Sequence, residues 1–110
     1  MLGRWTRVGV FLFLLTPATS VAQSARESND TAWKLLESGE VSRASRLFAE
    51  ALNRDPNQPA LLLGAGVAAH MQGRTKDATA ALRRALELDP RFTPAAILLG
   101  QIAYTEGRVA

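Results

Sequence analysis

The chain has 110 residues, 47% of them hydrophobic and 21% charged, with a formal net charge of +3, one histidine and no cysteine. That length holds at most one small domain. Without cysteine there is no disulfide staple, thiol nucleophile or thiolate zinc cluster, so the fold must rest on apolar packing alone.

The first element is a leader. In MLGRWTRVGVFLFLLTPATSVAQ, Arg4 and Arg7 form a basic start, Val8 to Leu15 is an apolar run, and Ser20-Val21-Ala22 places small residues before Gln23. These are the three parts of a secretory signal. The run falls well short of the roughly 20 apolar residues that a membrane-spanning helix needs. No cysteine follows it, which excludes a lipoprotein anchor. The expected layout is a signal peptide over 1–22, removed on export to the periplasm or the exterior of a bacterial cell, and one folded domain over 23–110. Losing Arg4 and Arg7 and no acid takes the net charge from +3 to +1. That balance gives no reason to expect a nucleic-acid partner, and membrane contact is expected only through the signal.

Five helices are predicted in the remainder, at about 25–38, 42–54, 58–72, 76–88 and 93–106, and no segment alternates as a strand would. Ser24 and Glu27 have capping-box spacing for the first, and Thr93-Pro94 offers an N-cap and a first-turn proline for the fifth. In the second helix Ala44, Leu47, Phe48, Ala51 and Leu52 fall at i, i+3, i+4, i+7 and i+8, and Ala78, Ala81, Leu82, Ala85 and Leu86 do so in the fourth. Each therefore has one buried face, with Arg43, Arg46, Glu50 and Arg83, Arg84, Glu87 left to solvent. The third helix, ALLLGAGVAAHM at 60–71, is apolar nearly all round and so is covered on several sides. Gly39, Gly73 and Gly107 stand where a left-handed residue would end a helix. Asp55-Pro56 and Asp89-Pro90 close the amphipathic helices, because proline disfavours helix at the residue before it.

The elements repeat. ASRLFAEALNRDP (44–56) aligns without a gap on ATAALRRALELDP (78–90) at an offset of 34, with five of 13 positions identical. The same offset joins the three turn glycines, Gly66 to Gly100, Ala69 to Ala103 and Arg74 to Arg108. A single period of this size points to a solenoid of stacked helix pairs, since one pair cannot bury its faces alone.

A 34-residue unit with a small residue in its first helix, Gly at the turn, Ala and Phe or Leu in the second helix, then Ala-Leu and Pro, resembles the tetratricopeptide repeat (TPR). The resemblance spans residues 23–110 as two full units, about 25–58 and 59–92, and a partial one at 93–110. Two departures lie in the first unit, where Ser28 stands at a position often Trp and Leu35 at an aromatic one. The resemblance implies an all-α, TPR-type α-solenoid of antiparallel helix pairs, with Ala32, Gly66 and Gly100 at close helix contacts. It also implies that the first helices line a concave groove for a peptide or partner helix. The matching groove positions are Asn29, Trp33, Leu36, Leu63, Val67, His70, Met71, Ile97, Gln101 and Tyr104. Leu63 and Val67 stand where some members carry the basic and Asn residues that clamp a carboxylate, which disfavours that specialised use.

Catalytic chemistry finds no purchase. A Ser-His-acid triad would need His70, which lies inside a helix pattern with no nucleophile elbow. Gly64 and Gly66 fall within a helix and not between strand and helix, so close packing explains them better than a phosphate loop. Arg74, Lys76, Arg83 and Arg84 are interleaved with Asp77 and Glu87, the pattern of a solvated helix face. The expectation is an exported, non-enzymatic scaffold for protein or peptide partners, with no cofactor and no metal. The alternative is an N-terminal docking segment of a larger secreted or periplasmic enzyme. Ile97, Leu98, Leu99, Ile102 and Ala103 make the fifth helix apolar on most sides, unlike a polar terminal cap. A longer array or self-association through that end is expected on this ground.

Overall fold

The computed structural model describes residues 20–107, which form five helices: α1 (Ser20–Glu37), α2 (Val41–Arg54), α3 (Pro59–Met71), α4 (Thr75–Leu88) and α5 (Thr93–Thr105). Among the described residues there is no strand, and the architecture is an all-α solenoid of helix pairs, two complete and a third represented by its first helix. Residues 1–19 of the expected leader and the last three residues lie outside the described ones. No described helix is long and apolar enough to cross a membrane.

Three turns share one backbone conformation. Gly39, Gly73 and Gly107 have φ of 85°, 75° and 70°, and their amides donate to Leu36, His70 and Tyr104 carbonyls at 3.1, 3.0 and 3.0 Å. Glycine enters this left-handed region without the clash a β-carbon brings. The other joints are also copies of one another. Asp55 (φ −141°, ψ 85°) and Asp89 (φ −140°, ψ 95°) leave the helix in extended backbone, as the prolines that follow demand.

Two packed clusters lie along the stack. The first gathers Ala32, Leu36, Ala44, Phe48, Ala51, Leu61 and Ala68 from α1, α2 and α3. The second gathers Leu62, Ala69, Ala78, Leu82, Ala85, Ala95 and Ile102 from α3, α4 and α5. α3 contributes to both, which is why its sequence is apolar all round. Its two internal glycines admit side chains from either neighbour. The Phe48 ring fills the space a β-carbon on Gly64 would need, and one on Gly66 would stand 2.9 Å from Leu82 Cγ. Packing is therefore the role of both glycines, as their place in a helix pattern suggests.

Two predicted caps are corrected. α1 already runs from Ser20, so Ser24 and Glu27 do not form its capping box; Ser24 Oγ instead accepts from Arg54 Nη1 at 2.8 Å. At α5 the N-cap is Phe92 and not Thr93. The Thr93 hydroxyl donates backwards to the Arg91 carbonyl at 3.3 Å and caps no amide.

Candidate interaction groove

The first helix of each pair, α1, α3 and α5, carries the ten positions expected to face a partner, and packing divides them into two groups. Leu36 is buried within the first cluster. Trp33 is half-buried with its ring edge-on to Phe48, centroids 5.9 Å apart and planes at 78°, an arrangement favoured by the ring quadrupoles. Val67 packs against the first cluster and Leu63 against the second. Asn29 is also half-buried, and its buried Oδ1 accepts no hydrogen bond.

His70, Met71, Ile97, Gln101 and Tyr104 remain exposed. Met71, Ile97 and Tyr104 are 53%, 56% and 76% accessible, and they are the large hydrophobic side chains most open to solvent among the described residues. All three belong to the expected groove set, and all lie on α3 or α5. Leaving these side chains in water forgoes the transfer free energy that burying them would release.

The outer helices look different. Arg43, Arg74 and Arg84 pair with Glu40, Asp77 and Glu87 three residues away, at 2.7, 3.1 and 3.2 Å, in exposed settings where such pairs contribute little. Arg74 also donates to Ser45 Oγ at 3.1 Å and to Gln72 Oε1. Arg84 reaches Asn57 Oδ1 at 3.2 Å. Arg74 thus ties the turn between α3 and α4 to α2, and Arg84 ties α4 to the loop before α3. The links between Arg74 and Ser45 and between Gln72 and Ser42 escaped the sequence reading. Their only signal was the recurrence of polar residues beside each glycine turn. Two shallow depressions sit on this side, one beside Arg43 and Glu50 and one beside Lys76, Thr79 and Arg83. Neither includes a residue of the expected groove.

Among the described residues no three His, Cys, Asp or Glu side chains gather as metal ligands. His70 lies in the last turn of α3, exposed to solvent.

A family model described as "Tetratricopeptide repeat" matches residues 35–102, from the end of α1 into α5. No curated protein gives a match.

Proposed function

The chain belongs to the tetratricopeptide repeat family, and from that premise we propose that it is an exported, non-catalytic scaffold whose concave side holds a peptide or helix of a cell-envelope partner. Repeats of this family generally mediate protein–protein interaction. One observation carries the finer reading: the most exposed large hydrophobic residues, Met71, Ile97 and Tyr104, all fall at groove positions of α3 and α5. Trp33, Leu63 and Val67 stiffen the floor of the same surface by packing into the two clusters. His70 and Gln101 supply polar groups beside the apolar anchors. The occupant this chemistry suits is a segment with apolar side chains, since the surface offers no cluster of cations for a terminal carboxylate. The leader pattern at 1–22 supports placing the scaffold outside the cytoplasm.

Photo-crosslinking tests the groove. A photoreactive residue at Gln101 should trap a protein in intact cells, and one at Arg83, on the outer helix, should not. Trapping at Arg83 alone would put the partner on the convex side and end this reading.

A further inference from the structure

Removal of residues 1–22 makes a glutamine, Gln23, the first residue of the chain. An N-terminal glutamine carries its own electrophile, because the α-amine can attack the side-chain carboxamide and close a lactam ring. Such an attack is intramolecular and avoids the loss of freedom that a bimolecular step costs. Two conditions favour it: an amine that is not held as ammonium, and a product that fits the fold.

The first condition is set by charge around the start of α1. The helix runs Ser20–Glu37, so the new amine stands at a helix N-terminus, where unpaired amides and the backbone dipole disfavour a cation. No acid offsets it in the first turn, Gln23-Ser24-Ala25-Arg26. Glu27 comes next and is matched by Arg26 beside it, both exposed. A further cation arrives from α2, because Arg54 Nη1 donates to Ser24 Oγ at 2.8 Å. Ser24 adjoins Gln23, so this guanidinium lies within about one Debye length, roughly 8–10 Å, of the new terminus. A like charge at that range favours the neutral amine, which is the nucleophile, over the ammonium, which is not.

The product meets the second condition. Its ring resembles that of proline, and a helix accepts proline in its first turn, where the missing N–H has no partner to lose. α3 and α5 begin in this way, with Pro59 and Pro94, whereas α1 contains no proline. We infer that Gln23 is a modification site, converted to pyroglutamate once the leader is cut, and that the charge of Arg54 favours the step. The α-nitrogen attacks Cδ of the carboxamide, the new C–N bond forms, the bond from Cδ to the amide nitrogen breaks, and ammonia leaves with a proton from the α-amine. No oxidant, metal or cofactor enters the balance. The lactam removes the charge that the helix end opposes and leaves no free α-amine for an aminopeptidase. The modification rests on the export proposed above, with cleavage after Ala22, and is independent of what the groove binds.

The test follows the full-length protein after export, by mass spectrometry of the N-terminal peptide at intervals after synthesis is stopped. The Gln23 peptide should be lighter than its unmodified form by the mass of one ammonia. It should also resist stepwise N-terminal sequencing until pyroglutamyl aminopeptidase is added. Gln23→Asn, whose shorter side chain would have to close a smaller, strained ring, should keep its amine. Arg54→Ala should slow the loss of ammonia at least about twofold, and Arg54→Lys, which keeps the charge, should restore the rate. A chain that begins at Gln23 and keeps its amine would overturn the modification and leave export standing. A chain that begins at another residue, or retains Met1, would overturn the leader and the modification together. Cyclisation of Arg54→Ala at the parent rate would overturn the part given to Arg54.

Discussion

The Phe48 ring lies over Gly64 in the space a β-carbon would take, so that one residue from α2 and one from α3 share a single side chain's volume. Phe48 is fully buried and stands in T-shaped contact with Trp33, which leaves the ring little room to withdraw. Gly64→Ala gains about 1 kcal/mol in helix propensity and meets an overpacking cost of about 1–3 kcal/mol. With the ring so enclosed the cost should win, and the variant should unfold at lower denaturant. Gly100→Ala, which meets nothing, should gain roughly 0.5–1 kcal/mol. Urea melts of the two variants measure both signs.

Gly73→Val tests the turn between α3 and α4. The site is open within 4 Å, so any loss comes from the backbone at φ 75° and not from a clash. A β-branched residue there should cost about 1–2 kcal/mol, and Gly73→Asn less, since Asn visits this region more readily. Gln72→Ala removes only exposed hydrogen bonds to Ser42 and Arg74 and should lie within about 0.5 kcal/mol of the parent. Similar losses for Gly73→Val and Gln72→Ala in thermal melts would show that the left-handed turn is not what the glycine supplies.

For the groove, Met71→Ala with Tyr104→Ala should weaken partner binding by about 2 kcal/mol or more, some thirtyfold in Kd, because large side chains in the centre of an interface dominate its energy. Both residues are exposed, so circular dichroism should show an intact fold. Arg83→Ala with Arg84→Ala removes outer-face charge and should change Kd less than about threefold. The affinities are to be compared on whichever protein the Gln101 crosslink identifies. The reverse ranking would move the site to the outer helices.

Export predicts a mature chain beginning at Gln23, read by intact-mass analysis of protein from the cell envelope. Cleavage there would remove the first three residues of α1, which starts at Ser20, and would keep Ser24 and its bond from Arg54. A soluble cytoplasmic product retaining Met1 would dispose of the leader.

Much of this fold was legible because its signals are periodic. Ala44, Phe48 and Ala51 recur as Ala78, Leu82 and Ala85 and are buried in both copies; proline and glycine mark joints whose backbone leaves few other choices. Ser24 and Thr93 misled for the opposite reason. A capping signal is local, and a hydroxyl that could cap an amide can also bond to a guanidinium or a carbonyl nearby. For the expected groove residues, the shared helix face was legible from spacing and the exposure was not. Spacing places Trp33 and Val67 on the same face as Met71 and Tyr104, yet which of them packs depends on the bulk of neighbours such as Phe48, which only the assembled stack reveals. The open surface at Gly100, where a β-carbon would meet nothing within 4 Å, was legible only as excess apolar character in α5.

Each helix packs chiefly on the one that precedes or follows it, with α1 also touching α3. Almost every contact therefore closes a short loop of chain, which gives the low contact order of proteins that fold in microseconds to milliseconds. Nearest-neighbour packing also divides cooperativity among the units. A pull on the two ends should thus extend the molecule in steps, pair by pair, with the force at each step set by one of the two clusters.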